Sequence, residues 1–278
     1  MSHIPESTLA RRREVSERFL QGEGIEIGAL HHALWFDRRQ VRVRYVDRLA
    51  VPELRRQYPE LAPYHFAPVD VIDDGEQLTR FADDSVDFII GNHMLEHCEN
   101  PLGTMRAHLR RVRPGGILYY AVPDKRFSFD VERALTTWEH LVRDDQEGPA
   151  CSRESHYEEW ARLVNRHSRP EDIRANVEAL REMEYSIHFH VWDSASFRAF
   201  LDGAAAYLST PFRVECFDQN DTEVLTVLRR THGTLFAHDE LDPALRSGAG
   251  IVVAGDLLDR GEAGVPAHGQ EVLDVGPE

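Results

Sequence analysis

The chain is 278 residues long, with 48 acidic against 32 basic side chains, a formal net charge of −16, 15 histidines and three cysteines. That length buries one sizeable core, and 42 % hydrophobic with 29 % charged residues is the composition of a globular protein. The acidity excludes a chain that wraps nucleic acid, the scattered Cys98, Cys151 and Cys216 exclude a disulfide framework or CxxC zinc knuckle, and no apolar run approaches the roughly 20 residues that cross a bilayer.

The opening stretch, MSHIPESTLARRREVSERF, reads as a charged helix without an apolar signal core, so a soluble, cytoplasmic protein is expected. Its triple arginine, 11–13, reads as a solvated helix face. Strand-like runs follow at Gly24–Gly28, at the strictly alternating Val41–Asp47, at Ala67–Asp73 before the Asp74-Gly75 turn, and at Val86–Gly91. A helix is expected from Pro101 to Val112, then a Pro114-Gly115-Gly116 turn and a fifth strand over Ile117–Val122. Strands about 20–30 residues apart with helices between them predict a parallel, doubly wound α/β sheet.

From about Asp130 to Met183 the period turns helical, with Ser168-Arg-Pro-Glu171 reading as a capping box with proline at the first helical position. Asp193 before Ser194 reads as the N-cap of a helix ending near Leu201. Two further strand-like runs, Phe212–Phe217 and Glu223–Leu228, are close enough to form an antiparallel pair at the end of the sheet. The expected organisation is a sheet domain over 1–125 and 191–232, an inserted helical cap over 126–190 and an acidic, Gly-rich tail over 233–278. From His238 onward that tail carries nine acids against two arginines, around one strand-like run, Gly250–Ala254, and reads as solvated.

Ligands of open α/β sheets bind outside the carboxyl ends of the strands. The polar residues that fall there are Glu26 and Gly28 after the first strand, Asp47 after the second, Asp73, Asp74 and Gly75 after the third, and Asn92 and His93 after the fourth. Acids at three successive strand ends describe a site for a ligand rich in hydroxyl and amine donors. Asp47 is placed to take both hydroxyls of a ribose. A nicotinamide dinucleotide would require GxGxxG, to lay its pyrophosphate on a helix N-terminus. The loop here is Gly28-Ala29-Leu30-His31-His32, without a second or third glycine, and its acid suits a cationic amino-acid ligand better.

The segments GIEIGAL (24–30), VRYVDR (43–48), VDVIDDGEQL (69–78), DDSVDFIIGNHMLEH (83–97) and LRRVRPGGILYYAVPD (109–124) resemble those of class I S-adenosylmethionine-dependent methyltransferases of the type 11-like kind. The resemblance implies a Rossmann-like doubly wound sheet, mostly parallel with an antiparallel last strand, plus a helical cap insertion. It implies S-adenosylmethionine as cofactor, with the methionine portion at Glu26, Gly28 and Ala29 and the ribose at Asp47. Adenine would lie at Asp74 and Gly75, with Asp73 an adjacent alternative, and the sulfonium end at Asn92 and His93. The sequence departs from that pattern at Leu30, where the loop's second glycine usually stands. PDKRFSFD (123–130), HYEEW (156–160) and HFHVWD (188–193) resemble a bacterial subgroup of methyltransferases with no substrate assigned.

Beyond the cofactor, Asp124, Lys125 and Arg126 follow the fifth strand, where the two cations would clamp an anionic acceptor or else form a solvated cluster. His156, Glu159 and Trp160 share a helix face, beside Tyr157, that either looks into the acceptor site or packs on the sheet. His188 and His190 alternate in one extended segment, which allows a general base or, with His156, a metal site; the acid–base reading is preferred and no metal ligands are assigned. His93-Met-Leu-Glu96-His97 also spells the HxxEH zinc-hydrolase motif, but directly after a buried strand Glu96 and His97 read as bracing the loop, with His97 available for proton transfer. Cys98 lacks the basic surroundings of a nucleophile.

The expected function is transfer of a methyl group to the oxygen or nitrogen of a small-molecule acceptor by in-line displacement, with no nucleic-acid or membrane partner. Two alternatives share the cofactor: intramolecular displacement on its aminobutyryl chain, and a non-catalytic cofactor-binding subunit.

Overall fold

Alternating apolar residues from Val41 form β2 (Val41–Asp47) in a computed structural model that describes residues 4–232. The tail expected over 233–278, with its run Gly250–Ala254, lies outside the described residues. Around β2 stand β1 (Gly22–Ile27), β3 (Val71–Ile72), β4 (Val86–Asn92), β5 (Val112–Pro123), β6 (Phe212–Asn220) and β7 (Glu223–Arg230). They form one seven-stranded sheet in the order β3-β2-β1-β4-β5-β7-β6. The first five strands run parallel, and β7 lies antiparallel between β5 and β6. The strand order reverses between β1 and β4, the place where an open sheet leaves a crevice for a ligand.

Both faces of the sheet are covered, which is why its central strands are almost continuously apolar. Successive residues of β4 serve opposite faces. Ile89 packs toward α3 (Pro101–Arg111), α4 (Trp138–Glu147) and α7 (Ser194–Tyr207), among Leu102, Met105, Leu141, Phe197 and Leu201. Phe88 and Ile90 pack toward Val15 of α1 (Glu6–Phe19) and toward Leu34 and Phe36 of the loop after β1. A separate apolar cluster joins α5 (Arg153–Leu163) and α6 (Pro170–Glu182), through Tyr157, Trp160, Val177 and Leu180, to Ile187 and Phe189. The remaining helix, α2 (Val51–Gln57), packs through Leu54 on Leu61 and Phe66. Among the described residues no helix is long and apolar enough to cross a membrane.

Several local expectations are corrected. The third strand is only Val71–Ile72, because Pro68 has no N–H to donate and the Asp70 side chain accepts the Tyr45 N–H at 2.9 Å. The Pro114-Gly115-Gly116 stretch lies inside β5 as a bulge: the register jumps from Val86 opposite Val112 to Phe88 opposite Ile117, with Gly115 at φ +86°. Ser168 lies one residue too early to cap α6, whose N-cap is Arg169 without a side-chain cap bond. Arg12 is not solvated. It is buried with Glu223 of β7 in a two-point ion pair, and Asn220 Nδ2 donates to the same carboxylate at 2.9 Å.

Candidate active site

A cleft of about 230 Å³ opens at the carboxyl ends of β1, β2 and β4, floored by Ile27 and Gly28 and walled by Asp47, Asp74, Gly75, His93, Met94 and His97. Ser186, from the segment after α6, reaches its rim. A larger hollow of about 320 Å³ between α1 and Trp35–Val41 holds none of these strand-end residues.

The loop leaving β1 sets the floor. Gly28 has φ +63° and donates its N–H to Val46 O at 2.9 Å; a side chain there would meet nothing within 4 Å and would project into open space. After Ala29, whose carbonyl closes a turn with His32 N at 2.8 Å, Leu30 also adopts a positive φ, +43°. The backbone therefore keeps a glycine-type conformation without glycine, and Leu30 offsets the strain by packing on the Leu54–Leu61–Phe66 cluster. Glu26 lies outside the cleft wall. Its Oε1 accepts the Leu34 N–H at 2.8 Å, its Oε2 has no partner, and burial pushes the carboxyl up to about 7.

Burial also raises the Asp47 carboxyl above its ordinary value. Asp73 and Asp74 part ways. Asp73 closes its own turn, accepting from Thr79 Oγ1 at 2.9 Å and Arg80 N at 2.8 Å, so only Asp74 and Gly75 wall the cleft. Gly75 is needed for close approach, since a Cβ there would stand 2.7 Å from Ile27 Cγ2. The sequence reading overlooked His108, which holds this loop. Its Nε2 donates to Gly75 O at 2.8 Å and its Nδ1 accepts from Tyr120 Oη at 2.7 Å, while burial lowers it to about 4 and keeps it neutral.

At the end of β4 both amide atoms of Asn92 are buried without a partner. His93 turns at φ +49°, donates its N–H to Ala121 O at 2.7 Å and rests Nε2 on Glu223 at 2.8 Å. The HxxEH helix does not form: Leu95–His97 is a single 3₁₀ turn, and His93 and His97 engage different elements. His97 Nδ1 lies 3.0 Å from Ser186 O and 2.9 Å from Ile187 O, so those carbonyls assign it the ring proton and leave Nε2 as an acceptor. Burial lowers His97 to about 3. Its ring stands edge-on to His188, centroids 4.6 Å apart, and His188 Nδ1 is 2.7 Å from Asp130 Oδ2. Beside them the Glu96 carboxyl is buried with neither oxygen in a hydrogen bond, its Oε1 3.4 Å from His93 Nδ1, and burial raises it well above its ordinary value. Cys98 is likewise held as a thiol by burial.

The remaining candidates fall elsewhere. His156 and His190, expected to share a site with His188, instead meet His140 and Asp144. Tyr157 donates to Tyr185 O at 3.3 Å, and Trp160 is buried in the α5–α6 cluster, neither in the cleft nor on the sheet. Asp124 is buried and binds Arg126 through both oxygens, and Lys125 Nζ donates to Arg133 O, so both cations are engaged within the protein. His140 and Asp144 carried a readable signal, a histidine and an acid four apart on one helix. Asp130 carried none.

A family model described as a methyltransferase domain matches residues 6–204. None of the curated proteins matches the sequence. Similar solved structures include a chain of the complex between a methyltransferase activator and a putative methyltransferase from Haloferax volcanii, 17 % identical, covering 81 % of this chain and 90 % of that one, with a TM-score of 0.45. Another is an S-adenosylmethionine-dependent methyltransferase from Aquifex aeolicus, 13 % identical, with coverages of 82 % and 89 % and a TM-score of 0.41. A third is a putative Zn-dependent alcohol dehydrogenase from Rhodobacter sphaeroides, 14 % identical, with coverages of 83 % and 100 % and a TM-score of 0.47.

Proposed function

The chain belongs to the methyltransferase-domain family, and from that premise we propose that it methylates an oxygen or nitrogen of a small-molecule acceptor by direct in-line displacement. S-adenosylmethionine is its cofactor. The cleft fits that molecule in its donor set and in its open floor. Asp47 would take the ribose hydroxyls, Asp74 and Gly75 would border adenine, and Gly28 with Ala29 would underlie the methionine portion. Glu26 would support that loop from below, while Asn92 and His93 would border the sulfonium. Of these two, His93 lines the cleft, and the Asn92 amide is buried outside its lining.

When bound, S-adenosylmethionine supplies a methyl group on a sulfonium cation whose charge is lost as the methyl leaves. The chain's part is to hold the two reactants in line and to keep water out. The helical segment 126–190, inserted between the sheet portions 1–125 and 191–232, would act as the cap over the acceptor. His97 lies where that cap meets the cleft, with Ser186 beside it. Its ring is neutral and its Nε2 is an acceptor, so it would take a hydrogen bond from a hydroxyl or amine acceptor and orient it, with the His188 ring beside it. Lys125 and Arg126 are engaged by Arg133 O and Asp124 and do not line the cleft, whose one cationic lining residue among the described residues is Arg48. The net charge of −16 disfavours a nucleic-acid acceptor, in keeping with a reaction of small-molecule biosynthesis.

The observation that carries this reading is one cleft joining acids at successive strand ends to a free histidine nitrogen beneath the helical segment. The test is product analysis with labelled S-adenosylmethionine and separate pools of small hydroxylated and aminated compounds, peptides and nucleic acids. Label in a small molecule, with adenosylhomocysteine released in equal amount, is expected. Label only in a macromolecule, or release of methylthioadenosine without acceptor, would overturn it.

A further inference from the structure

Away from the cleft, three helical-segment elements converge on one point. His140 and Asp144 stand one turn apart on α4, His156 comes from α5, and His190 comes from the segment ahead of α7. We propose that these four residues form a closed zinc site that ties α4 and α5 to the 186–193 segment.

The spacing is that of ligands around a common centre. His140 Nε2 lies 3.0 Å from His156 Nε2 and 3.1 Å from Asp144 Oδ2, and His190 Nε2 lies 3.9 Å from the same Oδ2. One ligand atom from each residue falls within 4.8 Å of all the others. Tetrahedral zinc, with bonds of about 2.0–2.1 Å to nitrogen or oxygen, separates its ligand atoms by about 3.3 Å. A small inward adjustment of His190 closes the set.

The alternative is a self-sufficient polar cluster, and the hydrogen bonding argues against it. Asp144 is completely buried, its Oδ2 faces only imidazole nitrogens, His140 Nε2 at 3.1 Å and His190 Nε2 at 3.9 Å, and among the described residues no lysine or arginine pairs with it. His190 is 1 % exposed and its Nδ1 is unpartnered. A buried carboxylate without a lysine or arginine beside it is costly unless a cation joins it. Asp144 is also already oriented for ligation, since Ser152 Oγ donates to its Oδ1 at 2.7 Å and leaves Oδ2 facing the histidines. Three imidazoles and one carboxylate suit zinc over magnesium or calcium, which take all-oxygen sets. Four protein ligands leave no open position, which makes the site structural. Two contacts must give way: Arg143 Nη2 lies 3.0 Å from His140 Nδ1, and that exposed arginine swings away when Nδ1 carries the proton, while His190 Nε2 gives up its 3.3 Å contact with Glu99 O as the metal replaces its proton.

The effect on the protein follows from position. His190 N donates to Glu96 O at 3.2 Å, and His188 and Ser186 lie on the same segment, so zinc would fix the rim of the cleft without touching the reaction. The test is zinc content and thermal unfolding of the full chain, purified without chelator and then loaded with zinc alone. About one zinc per chain is expected, together with a lower unfolding temperature in a tight chelator that returns with zinc and not with magnesium. Cobalt replacement, which needs no variant, should give the intense visible absorption of a tetrahedral site. His140→Ala and Asp144→Asn should each weaken zinc binding by about tenfold or more. Absence of stoichiometric zinc after loading would overturn the proposal. So would retention of zinc in His140→Ala with loss in His188→Gln, which would place the metal at the Glu96–His97–His188 group instead.

Discussion

The buried polar groups behind the sheet and those in front of it are treated in opposite ways. Behind, where α1 crosses to β7, Arg12, Glu223, Asn220 and Thr8 satisfy one another: Asn220 Nδ2 reaches Thr8 O at 3.2 Å, and Arg12 O accepts from Tyr119 Oη at 3.0 Å. In front, under the helical segment, Glu96, Asp144 and His190 each keep a buried polar atom without a hydrogen-bond partner, whereas on the α1 side the strand-end residues Glu26 and Asn92 do so only at the sheet's carboxyl edge. Native interiors leave few such atoms, so where they gather they mark groups completed by a ligand rather than by the fold. The rear network is scaffold, and it reaches the front through Glu223, which holds His93.

The contrast predicts effects of different size and sign. Arg12→Ala leaves Glu223 buried without its cation, and denaturant unfolding should show a loss of about 3–5 kcal/mol; a loss under about 1 kcal/mol would mean the network is not scaffold. His108→Leu strands the Tyr120 hydroxyl and the Gly75 carbonyl, and should cost about 1–3 kcal/mol while weakening S-adenosylmethionine binding through the Gly75 loop. An effect on stability with unchanged cofactor affinity would separate that loop from the site.

The same histidine sets a pH dependence. Its folded value, about 4, lies below the ordinary 6.5, so between these values the unfolded chain binds the extra proton. Stability is therefore full above about pH 6.5 and falls toward pH 4, by about 1.4 kcal/mol per unit at most. Glu26, raised to about 7, acts oppositely: its contribution is present below about pH 4.5 and is lost as pH rises to 7. The slope is accordingly read as the difference between wild type and His108→Leu, which should narrow as pH falls; a constant difference would contradict it. The smallest effect has the reverse sign. Glu96→Met removes two unsatisfied oxygens and should raise ligand-free stability by about 1 kcal/mol while lowering turnover. A loss of stability would place Glu96 with the scaffold.

Most of the sheet was legible because its signals are local. Val41–Asp47 alternates, Val86–Asn92 is buried on both faces, and the close pair Phe212–Asn220 and Glu223–Arg230 forms a hairpin. The strand-end rule located Asp47, Asp74 and Gly75 beside one cleft. What stayed hidden depends on partners far along the chain. A solvated reading of Arg12 is reasonable until Glu223, 211 positions later, closes on it. Lys125 and Arg126 look free until Arg133 O and Asp124 take them. Alternation put His188 and His190 on one side of an extended segment, but Asp130 draws one and Asp144 lies beside the other. Leu30 shows a different limit: a conformation that glycine would advertise is kept by packing, which composition does not reveal.

Calorimetric titration of S-adenosylmethionine into the wild-type chain and into Asp47→Ala tests the central claim most directly. Saturable one-site binding by wild type, weakened at least tenfold by the substitution while NAD gives no heat with either protein, is the predicted result. No binding to wild type, or equal binding to both, would contradict the account of the cleft.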